Sequence, residues 1–249
     1  MPSETQINDY FAYLRIPSVS ADPACSGAML DCCNWLSAKF SSLGLHSQIL
    51  ETASAPVVLA KSEFSPGKRT VLIYGHYDVQ PVDPELCWKH PPFEPVLQNG
   101  FVAARGATDN KGQTFSHILG TEALVKSGRE LPVNLIYLLE GQEEVGSPHL
   151  GSFLRERRNE LACDVALVSD TSMVGPGYPA ITCGLRGISC LEIKVTGPGA
   201  DMHSGMYGGT IANPARELSR LLAICTRTTV PSPSQDFTMT SCRSPTPID

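Results

Sequence analysis

His76 and Asp78, Asp109, the pair Glu143 and Glu144, and Asp170 are the residues whose types could do chemistry together in this sequence. Three of these groups directly follow an apolar run of strand length: 70–74 before Gly75-His76-Tyr77-Asp78, 133–139 before Glu140-Gly-Gln-Glu-Glu144, and 164–168 before Ser169-Asp170. A strand puts residues i and i+2 on one face, so His76 and Asp78 point the same way. A histidine whose second ring nitrogen is held by a carboxylate is the usual form of a metal ligand. One histidine with several carboxylates suits zinc, manganese or cobalt, whereas oxygens alone suggest magnesium or calcium. A carboxylate can also bridge two cations about 3.5–4 Å apart, the spacing that two-metal hydrolases use. Glu143 and Glu144 are consecutive, and neighbours in a turn do not easily ligate one ion together. One of them is then left to move a proton, as a general base must. Taken singly, Asp109 and Asp170 are ordinary caps, Glu143 and Glu144 a solvated turn, and His203 a surface histidine. Recurrence at three strand ends favours a metal site.

These side chains need a scaffold. Residues 7–14 read as a short helix closed by Pro17. Ser26 caps a longer one, in which Met29, Cys33, Leu36, Phe40 and Leu43 recur at helical spacing and Gly44 supplies the stop. Short strands are predicted at 47–50 and 56–60, and a hairpin arm at 100–105. A helix through Phe115, Leu119 and Leu124 runs to Gly128, and 147–161 is helical and charged. Three apolar strands separated by helices predict an α/β fold whose mostly parallel sheet is flanked by helices. In such sheets ligands bind at the carboxyl edge, where the acidic groups lie.

Beyond Thr171 the composition changes. Residues 172–179 read as a Gly/Pro-rich linker, 188–196 alternate like a half-exposed strand, and 213–225 form an amphipathic helix. The expected division is 1–184 as a catalytic portion, 185–225 as the start of a smaller α+β unit, and 226–249 as a disordered Ser/Thr/Pro-rich tail.

Bulk properties exclude several classes. A length of 249 residues suits one large domain or one and a half, and 42% hydrophobic residues suffice for a sizeable core. The formal charge of −6 argues against nucleic acid as a partner. No run of about 18 apolar residues predicts a membrane span. The start lacks a basic segment followed by an apolar core, so a cytoplasmic location is expected. The nine cysteines contain no C-x-x-C pair. Cys32, Cys33, Cys163 and Cys190 fall in or beside apolar elements and read as buried thiols of a reducing compartment.

In order along the chain, Gly75-His-Tyr-Asp-Val79, Arg105-Gly-Ala-Thr-Asp-Asn-Lys-Gly112, Glu140-Gly-Gln-Glu-Glu-Val-Gly-Ser147 and Val168-Ser-Asp170 stand out. They resemble the motifs of the di-zinc aminoacylase/carboxypeptidase G family of metallopeptidases, over about residues 7–225. Tyr74-Gly-His-Tyr-Asp-Val-Gln-Pro81 and Gly199-Ala-Asp-Met-His-Ser-Gly-Met-Tyr-Gly-Gly209 are most similar to its cytosolic nonspecific dipeptidase and carnosinase branch. The resemblance implies a three-layer zinc-peptidase catalytic domain followed by the beginning of a lid and dimerisation domain. It implies two divalent ions, zinc above manganese or cobalt, a small peptide substrate, and a homodimer. His76 and Asp170 would hold one ion and Glu144 the other, with Asp109 bridging them. Asp78 would orient His76, Glu143 would be the general base, and the Asp109–Asn110 peptide would be cis. His203, on the lid, would steady the oxyanion.

The sequence also departs from that pattern. No histidine follows His203, where the resemblance implies a last ligand and further substrate-binding residues. The chain is therefore read as a C-terminally truncated form, holding its second ion weakly and hydrolysing dipeptides poorly or not at all. Two other readings stand beside this one: an N-acyl amino acid deacylase, and an inactive fragment that serves as an interaction subunit.

Overall fold

Strand β6, Asn134–Glu140, is buried along its whole length, and the sheet is arranged around it. In this computed structural model the described residues are 2–82, 87–173, 175 and 177–225. With β1 (His46–Leu50), β2 (Val57–Lys61), β3 (Thr70–His76) and β7 (Val165–Val168), β6 forms a five-stranded sheet ordered β1-β2-β6-β3-β7. β3 runs parallel to both β6 and β7, which is the expected parallel core. β1 and β2 extend it antiparallel on the other side of β6, so the sheet as a whole is mixed. β4 (Val96–Gln98) and β5 (Phe101–Ala103) make a separate hairpin.

Because side chains alternate along a strand, β6 feeds two cores at once. Leu135, Tyr137 and Leu139 join Val58, Ala60 and Ile73 beneath Tyr13 of α1 (Glu4–Leu14), Leu36 and Phe40 of α2 (Ser26–Ser42), and Phe115 and Ile118 of α3 (Lys111–Lys126). Ile136 and Leu138 face the other way, with Val57, Leu59 and Leu72, and meet Phe153 of α4 (Leu150–Glu156) and Leu161. Helices on both faces of one sheet make the three layers. α1 begins earlier than its apolar spacing indicates, because Ser3 and Gln6 close a capping box around its first turn.

Three local expectations are corrected. Ser26 is not a cap: a 3-10 turn at Pro23–Cys25 precedes α2, and Asp22 caps that turn by accepting from the Ala24 N–H at 2.9 Å. α4 is shorter than 147–161, because Ser147 sits at φ 48 with its hydroxyl bonded to Glu140 instead of opening a helix. Cys32 and Cys33 are buried, but Cys163 and Cys190 are exposed. Cys163 precedes β7, whose residues are themselves exposed, and Cys190 lies outside any regular element.

The chain divides into two units, Met1–Thr182 and Cys183–Asp249. The described part of the second contains α5 (Ser204–Tyr207) and α6 (Pro214–Cys225), the latter begun by Asn213, whose Oδ1 accepts from the Ala215 N–H. The strand expected at 188–196 is not formed. Its alternation is real, but no neighbouring ladder pairs with it among the described residues, and Ile188 and Leu191 are exposed. The tail from 226 onward lies outside the described residues. Among the described residues, no helix is long and apolar enough to cross a membrane.

One buried charge ties the helical layer together. The Glu122 side chain, on α3, is 6% exposed; it accepts from Lys126 and lies 3.5 Å from Lys39 of α2, which also pairs with Asp9 of α1. The hydrogen bond from Lys126, helped by Lys39, holds the Glu122 carboxyl below its ordinary value. A depressed folded-state pKa contributes stability above the unfolded value of about 4.3, and that stability is lost as pH falls through the folded value. Glu122→Gln should therefore cost about 1.5–3 kcal/mol at pH 7, and the gap should shrink as pH falls below the ordinary carboxylate range. Urea midpoints of both proteins from pH 7 down through that range are the check, and an equal gap at both ends would refute it.

Candidate metal centre

β3 lies between β6 and β7, all three running the same way, with His76 level with Glu140 and Tyr74 level with Val168. Whatever follows these strands must emerge at one sheet edge, which is how residues nearly a hundred positions apart come together. The turn after β6 carries Glu143 and Glu144 on a 3-10 segment, Glu143–Val145, ended by left-handed Gly146. Glu140 closes this turn at its base, its Oε1 accepting from the Tyr74 hydroxyl at 2.6 Å and the Ser147 hydroxyl at 2.8 Å. Asp109 comes from the loop ahead of α3, where the Asp109–Asn110 peptide is cis. That loop folds back so tightly that a Cβ on Gly112 would lie 2.0 Å from the Ala107 carbonyl oxygen. Lys111 anchors it: the fully buried ammonium donates to the carbonyls of Tyr13 and Ile16 and lies 4.9 Å from the Tyr13 ring centre.

His76 is wholly buried. Its Nδ1 lies 3.0 Å from the backbone carbonyl of Asp78 and 3.3 Å from that residue's Oδ1. A carbonyl can only accept, so Nδ1 carries the proton and Nε2 presents its lone pair when the ring is neutral. Asp78 thus orients the imidazole chiefly through its main chain. Its carboxylate turns to the neighbouring loop, Oδ2 accepting from the Glu144 N–H at 3.1 Å, while Oδ1 is buried without a hydrogen-bond partner.

Nε2 faces Asp109 Oδ1 at 3.1 Å and Asp170 Oδ2 at 3.5 Å. Two sets of side chains converge closely enough to hold a cation: His76, Asp109 and Glu144, and His76, Glu143 and Asp170, with ligand atoms within 4.8 Å of one another in each. An oriented imidazole lone pair opposite several carboxylates is the donor chemistry of a zinc- or manganese-type ion, and the residues fit one. The anchor is closed and the mouth is open: the Asp109 side chain is 60% exposed. Of the residues singled out from sequence, Asp78 and His203 are in neither set; Asp78 lies behind His76 instead. His203 belongs to the second unit, where it caps α5 by accepting from the Gly205 N–H at 3.1 Å.

The electrostatics follow from that crowding. Burial works against charge on His76, but hydrogen bonding and charge from Asp78, with Asp170 and Glu143 behind it, pull the imidazole up to about 9. Burial pushes the Glu143 carboxyl up, with Asp170 and Glu144 adding to the effect against the pull of His76. Burial also raises Glu144, opposed by a hydrogen bond from Gln80. A proton on Nε2 and a cation compete for one lone pair, and either relieves the same cluster of negative charge.

Two residues that hold this site were not singled out from sequence. Gln80 Nε2 donates to Glu144 Oε2 at 2.7 Å, and nothing in a glutamine after a strand announces that role. Asn110 has its amide inside the cluster, donating to Asp170 Oδ1 at 3.2 Å. The signal for Asn110 was its place beside Asp109, at the peptide expected to be cis.

Comparison with known proteins agrees with this geometry. Residues 72–241 match the family described as Peptidase family M20/M25/M40. The Cys-Gly metallodipeptidase DUG1 of Saccharomyces cerevisiae is 34% identical over 226 residues, covering 84% of this chain and 47% of DUG1. The human Beta-Ala-His dipeptidase is 35% identical over 193 residues, covering 75% of this chain and 38% of that protein. Among solved structures, the yeast di-peptidase Dug1p superposes with a TM-score of 0.73 at 32% identity, over 88% of this chain and 49% of its own. Human carnosine dipeptidase 1 superposes with a TM-score of 0.70 at 28% identity, over the same shares. The chain spans about half the length of the curated yeast relative named above, 47% of DUG1.

Proposed function

This chain belongs to peptidase family M20/M25/M40, and on that premise we propose that its strand-end cluster holds divalent cations and serves hydrolysis of the amide bond in dipeptides or small peptides. The observation that carries the reading is the convergence of one oriented imidazole with Asp109, Glu143, Glu144 and Asp170. His76 and Asp170 would hold one ion, Glu144 a second, and Asp109 would lie between them. Bound there, a divalent cation supplies an acidified water and polarises the amide carbonyl. The chain's own residues do the rest. Asp78 holds the imidazole in its ligating tautomer. Glu143 takes a proton and returns it to the leaving amine, and burial raises its carboxyl in the direction that favours taking one.

Dipeptides are preferred over N-acyl amino acids because the relatives matched above carry dipeptidase names. Zinc as the ion, a homodimeric assembly and a cytoplasmic setting belong to the same proposal; the buried thiols of Cys32 and Cys33 are in keeping with the last. So does the assignment of 1–184 to a catalytic portion and of 185–225 to the start of a lid.

Both ligand sets depend on His76, and one lone pair binds one ion. After dialysis the 249-residue chain should retain one zinc or manganese by elemental analysis, taking a second only from excess metal. Offered Cys-Gly and β-Ala-His with added metal, it should cleave slowly, and a chelator should stop it. A chain that retains no ion, or hydrolysis indifferent to chelation, would overturn the reading.

A further inference from the structure

We propose that Asn110 is a positioning residue that fixes the Asp170 carboxylate for cation binding. This rests on the reading of Asp170 as a ligand. Asp170 follows β7, the edge strand of the sheet, all of whose residues are exposed. A ligand on so thinly packed an element needs its orientation from elsewhere, because a free carboxylate rotor must be ordered each time an ion binds. Asn110 supplies that orientation. Its Nδ2 donates to Asp170 Oδ1 at 3.2 Å, which leaves Oδ2 on the side of His76 Nε2, 3.5 Å away.

Asn110 is itself held on the other side. Only 2% exposed, it accepts at Oδ1 from the Thr114 hydroxyl at 2.9 Å and from the His76 N–H at 3.4 Å. One planar amide therefore ties the end of β3 to the first turn of α3 with its acceptor, and to Asp170 with its donor. Neither an aspartate nor a leucine of the same shape offers both. The neighbouring strand is cut away to admit it: a Cβ on Gly75 would lie 2.8 Å from Asn110 Oδ1 and 2.6 Å from Thr114 Oγ1. Asn110 is thus the joint between a carboxylate that follows an exposed edge strand and the backbone of a buried histidine.

Zinc affinity of the 249-residue chain, measured by competition with a chromophoric chelator, tests this in two backgrounds. Asn110→Ala should weaken binding about 10–100-fold, the usual effect of losing an outer-shell partner. In an Asp170→Ala background the same substitution should change affinity less than twofold, since nothing remains to be oriented. A purely structural role would weaken binding equally in both. Thr114→Val, which loosens Asn110 without touching Asp170, should lie between the wild type and Asn110→Ala. Where far-UV circular dichroism shows that Asn110→Ala does not fold, Asn110→Ser, too short to reach Asp170, takes its place with the same expectation. Equal losses in the two backgrounds, or no loss from Asn110→Ala, would overturn the proposal. If Asp170→Ala by itself costs no affinity, the ligand assignment fails as well.

Discussion

Saturating zinc or manganese should raise the melting temperature of this chain by about 8–16 °C, and His76→Ala should abolish that rise. A ligand present at a thousand times its dissociation constant stabilises the folded state by about 4 kcal/mol, and each kcal/mol is worth about 2–4 °C in a domain of this size. His76 is the right residue to remove because it belongs to both candidate ligand sets and is the sole imidazole in either. The carboxylates that remain are oxygen donors only, which hold these ions far less selectively. His76→Ala also strips Asp78 of its partner and will lower the metal-free melting temperature. The quantity to compare is therefore the shift on adding metal, read by calorimetry against a chelated sample. His46→Ala, on the exposed edge of β1, is the control and should keep the full shift. A shift that survives in His76→Ala would place the cation elsewhere and remove the basis of the functional reading.

What the sequence made legible was the part dictated by periodicity and by strand ends. The runs at 71–74 and 135–139 are apolar because β3 and β6 are covered on both faces; 165–168 is as apolar although β7 is exposed at the sheet edge, and the acidic groups following all three could only meet at one edge. What was not legible depended on contacts distant in sequence. The alternation at 188–196 looks like a strand, yet a strand is made by its partner, and no ladder supplies one among the described residues. Asp78 was expected to hold His76 through its carboxylate, by the same-face rule. Because β3 ends at His76, the Asp78 carbonyl shares that role: it approaches Nδ1 at 3.0 Å, closer than the carboxylate Oδ1 at 3.3 Å, while Oδ2 turns to the Glu144 N–H. Asn110 and Gln80 reach Asp170 and Glu144 through side-chain amide hydrogen bonds to residues about 60 positions away, a distance over which local pattern carries no information.

Glu143 and Glu144 should separate cleanly on conversion to the isosteric amides. Each carboxylate lies in a different ligand set, Glu143 with Asp170 and Glu144 with Asp109, so position alone does not divide their labour. Their surroundings do. The Glu144 carboxylate is held by Gln80 at 2.7 Å and its N–H is fixed by Asp78 at 3.1 Å, the constraint expected of a ligand. Burial raises both carboxyls, so the distinction rests on that hold, which ties down Glu144 and leaves Glu143 to take and give the proton. Glu144→Gln should therefore weaken zinc binding, most visibly for the second ion. Glu143→Gln should leave affinity within about twofold while lowering metal-dependent dipeptide hydrolysis by about 10²–10⁴-fold, the usual contribution of a general base. The affinity measurement decides the assignment even where turnover is slow. Equal loss of metal in the two variants would make Glu143 a ligand, and near-normal hydrolysis by Glu143→Gln would leave the proton to another group.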